Sequence, residues 1–291
     1  MTKNSINSGI AIRLTVACPD QIGIVATIGQ LIAKYQGNII EANHHTDAGA
    51  GWFFMRHDIY FPTDFTKLDQ LQRELENISQ ALQLQWQLIQ PKRPKRVILM
   101  VSRQSHCLAD ILYRWRSKEL NIEILCIISN HQDLAQEASW HNIPYHYIPV
   151  PKQDKTAAFN QLAETIDQYK PDLIVLARYM QILPPFLCQQ YPGRIINIHH
   201  SFLPAFAGAK PYHQAFERGV KLIGATCHYV NDELDAGPII EQDMVRINHC
   251  HSIDDMVRLG KDVEKNVLAR GLRLHLEDRV FIHNDKTVVF N

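Results

Sequence analysis

The chain has 291 residues, of which 46% are apolar and 21% are charged, the proportions of an ordinary globular protein. This length is enough for two domains, each with its own core. Thirty basic residues balance thirty acidic ones, so the excess of positive charge that marks a nucleic-acid-binding protein is missing.

Neither disulfides nor membrane insertion is indicated. The six cysteines lie in apolar stretches, with no CxxC pair and no regular spacing, which favours reduced thiols over a disulfide framework or a zinc site. The first residues, MTKNSINSG, lack the apolar stretch of a signal peptide, and no segment approaches about 18 uninterrupted apolar residues. We therefore expect a cytoplasmic protein that binds neither nucleic acid nor a membrane.

Residues 1–90 are predicted to form a domain of the βαββαβ order, the ferredoxin-like plan. Apolar periodicity and turn residues predict, in order, a strand over 10–18, a helix over 21–35, strands over 39–46 and 52–61, a helix over 64–79 capped by Asp64, and a strand over 82–88. Residues 91–95 are predicted to be a linker, because two prolines among cations have nothing to bury and cannot pair in a sheet.

The segment ACPDQIGIV, residues 17–25, lies between the first strand and the first helix. With its Asp-x-x-Gly pattern, the first domain resembles an ACT domain over its whole length. The resemblance implies that an amino acid binds at Asp20 and Gly23 and that the protein is a homo-oligomer. Our hypothesis for this amino acid is glycine or methionine, as a reporter of one-carbon status. A glycine at a helix start lets a ligand approach the backbone, and a helix N-terminus favours a carboxylate. Alternatively, Asp20 only caps the helix and Gly23 only packs tightly.

Residues 96–291 are predicted to form a second, α/β domain. Short runs rich in Ile, Val and Leu alternate with amphipathic stretches, which favours a mostly parallel, Rossmann-like sheet covered by helices. The predicted strands are 96–102, 122–129, 145–148, 172–177 and 194–198, and the clearest helices are 106–116 and 156–169. A helix over 252–276 and a hairpin over 279–290 follow, and we assign chemistry to neither.

The stretch IINIHH, residues 195–200, places polar residues at the end of a buried strand. Side chains alternate along a strand, so Asn197 and His199 share one face at the carboxyl end, where ligands bind in such sheets. A hydrogen-bonded core histidine is the plainer interpretation of His199. A metal site at His199 and His200 is disfavoured, because adjacent strand residues point to opposite faces and no further ligand stands at suitable spacing.

A second polar stretch, HYVNDELDAGPIIEQ, spans residues 228–242. Three carboxylates in four residues are typical of a solvated turn, yet Asp235 precedes a tight turn that can aim it back toward a strand end. Together with NIHHSFLPAF, residues 197–206, this stretch resembles the folate-dependent formyltransferase family over residues 96–242. The resemblance implies a catalytic set of Asn197, His199 and Asp235. Ala236 stands where many members have glycine, which is harmless if its φ is negative.

The resemblance implies 10-formyltetrahydrofolate as the substrate, with no other cofactor and no metal. Attack on the formyl carbon builds negative charge on its oxygen, toward which Asn197 and His199 can both point N–H donors. Asp235 would favour the imidazolium form of His199 and either hold or deprotonate the nucleophile. The implied folate pocket comprises Met180, Gln181, Ile182 and Leu183 with Val230, Asn231 and Asp232. Without the resemblance, residues 180–183 would be taken as the start of a hydrophobic helix before Pro184.

The acceptor of the formyl group is predicted from the lack of a glycine-rich loop. Members that formylate a phosphorylated amine carry a glycine-rich loop after the domain's first strand, whereas VSRQSHCL, residues 101–108, contains no glycine. With an ACT domain in front, the chain resembles the deformylase branch, which hydrolyses 10-formyltetrahydrofolate to tetrahydrofolate and formate. His106 and His131 would lie near the vacated acceptor side, or are helix-end histidines. The alternatives are a formyltransferase acting on an unidentified amine and a non-catalytic folate or amino-acid sensor.

Overall fold

The computed structural model describes residues 9–204 and 211–291, with the side chain of Pro211 excepted. The motif residues Ala205 and Phe206 lie outside the described residues. The chain divides into two compact units, with the first cut between Arg93 and Pro94. The first unit also takes residues 277–281 and 290–291, which the sequence-based division had placed with the rest of 96–291 in the second domain.

The first unit is an antiparallel sheet packed against two helices, as the βαββαβ prediction requires. Its four strands are ordered β2-β3-β1-β4. Alternate residues of the strands pack with the apolar faces of the helices into a single core. The elements are β1 (Gly9–Pro19), α1 (Ile24–Lys34), β2 (Asn38–Asp47), β3 (Trp52–Pro62), α2 (Leu68–Leu82) and β4 (Gln85–Ile89).

Both helices of the first unit begin later than predicted. Helix α1 begins at Ile24 because Gly23 before it has a left-handed φ of 95°. Asp64 does not cap α2, since it lies in a turn closed by the bond from Phe65 N to Pro62 O, and the helix begins four residues further on. At the end of α1, Gln36 takes the left-handed conformation, with φ of 59°. Turn chemistry therefore set these boundaries where periodicity did not.

The second unit is built on a seven-stranded mixed sheet of order β11-β10-β9-β8-β5-β6-β7. Strands β5 to β9 pair in parallel with one another, while β10 pairs antiparallel with both β9 and β11, so the prediction of a mostly parallel sheet is confirmed. The strands are β5 (Lys95–Val101), β6 (Ile122–Ser129), β7 (Tyr145–Tyr147), β8 (Leu173–Leu176), β9 (Ile195–His199), β10 (Leu222–Tyr229) and β11 (Ile239–Arg246). The chain closes with the hairpin β12 (Val280–His283) and β13 (Lys286–Val289).

The long helices of this unit lie where periodicity placed them, whereas three short ones were missed. The helices are α3 (His106–Arg116), α4 (Ala135–Trp140), α5 (Thr156–Tyr169), α6 (Pro185–Gln190), α7 (Pro211–Arg218) and α8 (Ile253–Leu276). Helices α4, α6 and α7 have only six to eight residues, too few for a 3.6-residue pattern to emerge. Helix α6 begins at Pro185, a position that proline favours, so residues 180–183 precede that helix and do not start it.

The strand order fixes where a ligand can bind. The chain builds β5, β6 and β7 in one direction and then returns to place β8 and β9 on the other side of β5. In open α/β sheets, ligands bind at the carboxyl ends of the strands beside such a reversal. The ends of β5, β8 and β9 meet there. Among the helices of the described ranges, none is both long and apolar enough to cross a membrane.

Two glycines of the first unit provide a matched test of its packing. A Cβ on Gly37 would lie 2.7 Å from Ile32 Cγ2 and 2.8 Å from Phe61 Cε1, whereas a Cβ on Gly29 meets nothing within 4 Å. We expect Gly37→Ala to lower the free energy of unfolding by about 1–3 kcal/mol through overpacking. Gly29→Ala, inside α1, should raise it by about 0.5–1 kcal/mol. Urea unfolding of the full chain checks both, and equal effects would contradict this description of the core.

Candidate active site

Three of the predicted polar residues meet at the end of β9. His199 Nδ1 lies 3.2 Å from Asp235 Oδ2, and the imidazole is only 5% exposed. Asn197 stands two residues earlier on the same strand and therefore on the same face. An amide, an imidazole and a carboxylate thus face one cavity, which all three line.

Asp235 reaches His199 because its loop folds back over the sheet. Strand β10 runs antiparallel to β9, with Tyr229 opposite Ile196, so the following loop starts near the amino end of β9. Pro238 O accepts from Tyr229 N at 2.9 Å, which closes the loop. A Cβ on Gly237 would lie 1.8 Å from Tyr229 O, so no other residue fits there.

The backbone on either side of that turn explains the departure from the family pattern. Asp235 itself is left-handed, with φ of 55°. Ala236 is not among the described residues with positive φ, so the condition set for a harmless alanine at this position is met. The unusual conformation falls on aspartate, one of the residues that tolerates it best after glycine.

The charge on Asp235 is stabilised by the histidines around it. Burial alone would raise the pKa of this carboxyl group, but the hydrogen bond from His199 and the nearby imidazoles hold the pKa below its ordinary value. The carboxylate is therefore ionised at neutral pH. Its second oxygen, Oδ1, lies 3.9 Å from His228 Nε2, beyond hydrogen-bond distance.

His228, which the sequence analysis passed over, fixes the amide of Asn197. It lies opposite Asn197 in the β9–β10 pair, and its Nε2 is 3.1 Å from Asn197 Nδ2. Burial lowers the pKa of His228 and outweighs the hydrogen bond to Tyr229 O, which raises it. The ring is therefore neutral. Because Nδ1 donates to Tyr229 O at 2.8 Å, Nε2 is the acceptor, and it holds the amide nitrogen of Asn197 toward the cavity.

The cavity has a volume of about 290 Å³, and all seven residues predicted to bind folate line it. Met180 and Ile182 are 52% and 60% exposed, so apolar surface stands open at its mouth. The segment 180–183 is held by Ser102, which follows β5. Ser102 Oγ accepts from Met180 N at 3.1 Å and donates to Asn130 Oδ1 at 2.6 Å. An apolar slot with polar groups at one end suits a flat heterocycle.

The other predicted residues lie elsewhere. His106 and His131 are not among the residues that line this cavity. His106 begins α3 and contacts Glu264, whereas His131 is held by backbone bonds to Ser129 and Tyr145. In the first unit, Asp20 is exposed and makes no side-chain cap to α1.

A buried charge cluster beside the cavity was also missed. Glu264, on the helix to which no chemistry was assigned, is 1% exposed and contacts His106, Tyr212 and Arg178. Helical spacing does place Glu264 on the buried face with Met256 and Gly260, which was an available signal. For His228, the signal was alternation, since Thr226 and His228 are polar residues two apart in an otherwise apolar strand.

Among the described residues, one group of three has metal-ligand atoms close together, His106, Cys107 and Glu264. Burial raises the pKa of the Cys107 thiol well above its ordinary value, so the sulfur stays protonated and is a poor ligand. Arg178 Nε also lies 3.3 Å from Glu264 Oε2 and would repel a cation there. These contacts favour a charge cluster over a metal site.

Comparisons with known proteins match both units of the chain to known families. Residues 95–272 match the formyl transferase family, and residues 12–80 match the ACT domain family. A formyltetrahydrofolate deformylase of Synechocystis sp. is 49% identical over 95% of this chain and 97% of that protein. One of Bacillus subtilis is 44% identical over 96% of this chain and 93% of that protein.

Among solved structures, a formyltetrahydrofolate deformylase from Pseudomonas syringae pv. tomato superimposes with a TM-score of 0.94. It is 56% identical, and the match covers 98% of this chain and 96% of that one. Fold and site define an ACT domain joined to a formyl transferase domain. The chain belongs to the formyltetrahydrofolate deformylase family.

We predict that His228 acts by positioning Asn197. His228→Ala should lower kcat about tenfold, because the amide loses a buried hydrogen bond and its orientation, while the KM for the folate substrate stays the same. His228→Gln, which offers an acceptor oxygen, should restore part of the loss. Steady-state kinetics with His146→Ala as the control tests this, since His146 lies on β7 and bonds to Tyr169 outside the cavity. A rise in KM with unchanged kcat would contradict the assignment.

Proposed function

We propose that this chain hydrolyses 10-formyltetrahydrofolate to tetrahydrofolate and formate, and that Asn197, His199 and Asp235 carry the chemistry. Membership of the deformylase family supports the reaction, which supplies formate for purine synthesis and balances one-carbon pools. The observation that carries the residue assignment is the 3.2 Å contact between His199 and Asp235, with Asn197 on the same face of the same cavity.

The first step is attack by water on the formyl carbon, which places negative charge on the formyl oxygen. Asn197 Nδ2 has two hydrogens, and His228 takes only one of them. His199 Nε2 is buried and makes no hydrogen bond with a described residue. The second amide hydrogen and a proton on Nε2 are therefore the two donors that stabilise the oxyanion.

Asp235 holds the second reactant. Its Oδ2 accepts from His199 Nδ1 and fixes the orientation of the ring, while Oδ1 is left to accept a hydrogen bond from the attacking water. As the water oxygen bonds to carbon, one of its protons passes to the carboxylate. Collapse of the adduct then breaks the C–N bond as Asp235 returns this proton to the folate nitrogen. Asp235 next takes the remaining hydroxyl proton, so the one-carbon product leaves as formate.

The folate binds in the apolar part of the cavity, beside these groups. Residues 180–183 and residues 230–232 both line the cavity, so they can hold the pterin while the formyl-bearing nitrogen lies toward His199. Water is the acceptor we propose, because the segment after β5 has no glycine and its first helical residue, His106, is already engaged with Glu264. No further cofactor and no metal enters this scheme.

The first unit is proposed to bind an amino acid at Asp20 and Gly23 and so to regulate turnover. The left-handed Gly23 leaves open space at the start of α1, since a Cβ there would meet nothing within 4 Å. Beside it, Ile22 is fully exposed and Val25 is 42% exposed, apolar surface that a second copy would cover. We therefore also propose a homo-oligomer and, from its unpaired cysteines, a cytoplasmic location.

We expect Asp235→Asn and Asn197→Ala each to lower kcat on the order of 100-fold or more, because each removes a group that acts on the transition state. The pKa of Asp235 is held below its ordinary value, so the carboxylate loses its charge only when the pH falls below the pKa of an ordinary aspartate. Asp235→Asn should therefore lower the rate at every neutral pH alike.

Formate release from 10-formyltetrahydrofolate, without an added amine, is the measurement, and Asp133→Asn, an exposed aspartate of the same unit, is the control. Normal turnover by Asp235→Asn would show that its assigned role is wrong. Release only after an amine is added would identify a transferase, and binding without turnover a sensor.

Titration calorimetry of the full chain with glycine and with methionine tests the regulatory unit. We expect heat from at least one of them, together with a change in turnover, because the open helix start can receive an amino-acid carboxylate. Asp20→Asn should weaken the binding, whereas Asp64→Asn, an exposed aspartate of the same unit, should not. Absence of both heat and rate change with either amino acid would remove the proposal.

A further inference from the structure

Arg178 stands where the strand order of the sheet reverses. It follows β8 by two residues, next to the carboxyl ends of β5 and β9. Its backbone is left-handed, with φ of 67°, a conformation that is rare for a long side chain. Such a residue is kept in this conformation when its side chain is needed at one place, and functional sites collect residues of this kind.

The guanidinium of Arg178 has hydrogen-bond donors to spare. The side chain is only 11% exposed and lines the same cavity as Asn197, His199 and Asp235. Two of its nitrogens, Nε and Nη1, are buried and make no hydrogen bond with a described residue. Buried N–H donors without an acceptor are costly, so this side of the cavity has room for an acceptor that none of the described residues supplies.

Glu264 anchors this cation without saturating it. Its Oε1 accepts from Tyr212 OH at 2.6 Å and its Oε2 from His106 Nε2 at 2.7 Å. Burial alone would raise the pKa of Glu264, but the hydrogen bond from His106 and the charge of Arg178 hold it below its ordinary value. The carboxylate is therefore charged. Its 3.3 Å contact with Arg178 Nε holds the guanidinium at the edge of the cavity.

The histidine that lies next to Arg178 in the cavity carries no charge. His200 also lines the cavity, and burial, with the charge of Arg178, lowers its pKa to about 3. Its ring is neutral at physiological pH. His200 therefore does not compete with Arg178 for an anion, and the flat fork of donors on Arg178 fits a carboxylate.

We propose that Arg178 is the residue that binds formate, accepting the carboxylate as hydrolysis creates it. This inference rests on the proposed function. The substrate amide is neutral, whereas the product carries a full negative charge on two oxygens, one from the formyl group and one from water. One proton of the water ends on the folate nitrogen and the other leaves with Asp235, so the second oxygen becomes free to bond to the guanidinium.

Product inhibition by sodium formate measures this contact directly. Hydrolysis of 10-formyltetrahydrofolate by the full-length protein is followed at several formate concentrations, with equal concentrations of sodium chloride as the reference for ionic strength. We expect formate to inhibit the natural protein more strongly than chloride does. Arg178→Asn should weaken that inhibition about tenfold or more, the worth of one charge-assisted hydrogen bond.

Asparagine suits this position because it tolerates the left-handed backbone. Arg178→Lys, which keeps the charge but not the two-pronged geometry, should show an intermediate inhibition constant. The KM for the folate should change little in either variant. Arg116→Asn, at the exposed end of α3, is the matched control and should leave inhibition by formate unchanged.

The outcomes separate this inference from the proposed function. If the natural protein releases no formate, the proposed hydrolysis itself is wrong. If it releases formate but formate inhibits no more than chloride, Arg178 binds no carboxylate, a result that needs no variant and is independent of whether Arg178→Asn folds. Equal inhibition of the natural protein and a folded Arg178→Asn would likewise overturn the inference.

Discussion

The site depends on one reversal of direction. Because β10 runs antiparallel to β9, the loop that carries Asp235 leaves the sheet at the far end from His199 and must travel back along the face of β9. The turn that allows this lies so close to Tyr229 O that Gly237 has no room for a Cβ. The position of the Asp235 carboxylate beside His199, and the part of the cavity lined by residues 230–232, both follow from that return path.

Most of the fold could be predicted because its elements are long and their apolar residues are regular. The strand at 122–129 and the helices at 106–116 and 156–169 were predicted with the bounds that the structure has. The short helices were not, since six to eight residues hold too little periodicity. The starts of α1 and α2 were set by a left-handed glycine and a local turn, which compete with periodicity over only a few residues.

The cavity residues likewise divide into those that could be predicted from the sequence and those that could not. Asn197, His199, Asp235 and the folate segment stand in two continuous motifs, and the structure places them around one cavity. His228, Arg178 and Glu264 come from three separate elements, and their importance lies in contacts between those elements. Single-sequence patterns record which face a residue takes, but not which side chain of another element it meets there. No chemistry was therefore assigned to the helix that carries Glu264.

The charges around the cavity also bear on the choice of acceptor. A protonated amine approaching His199 would meet the cation of Arg178, whereas water would not be repelled. The anion formed by hydrolysis is attracted to the same place. A single guanidinium thus disfavours one class of acceptor and favours the product of the other, without any change to the groups that activate the formyl carbon.

Asp235 and Arg178 share a left-handed backbone, which sets selection for stability against selection for function. Both side chains spring from left-handed backbone, with φ of 55° and 67°, which glycine would adopt more easily than arginine. Replacement by glycine would relieve local strain while emptying the cavity of a charge. Selection for heat tolerance alone should therefore favour glycine at both positions, at the expense of turnover at Asp235 and of formate binding at Arg178.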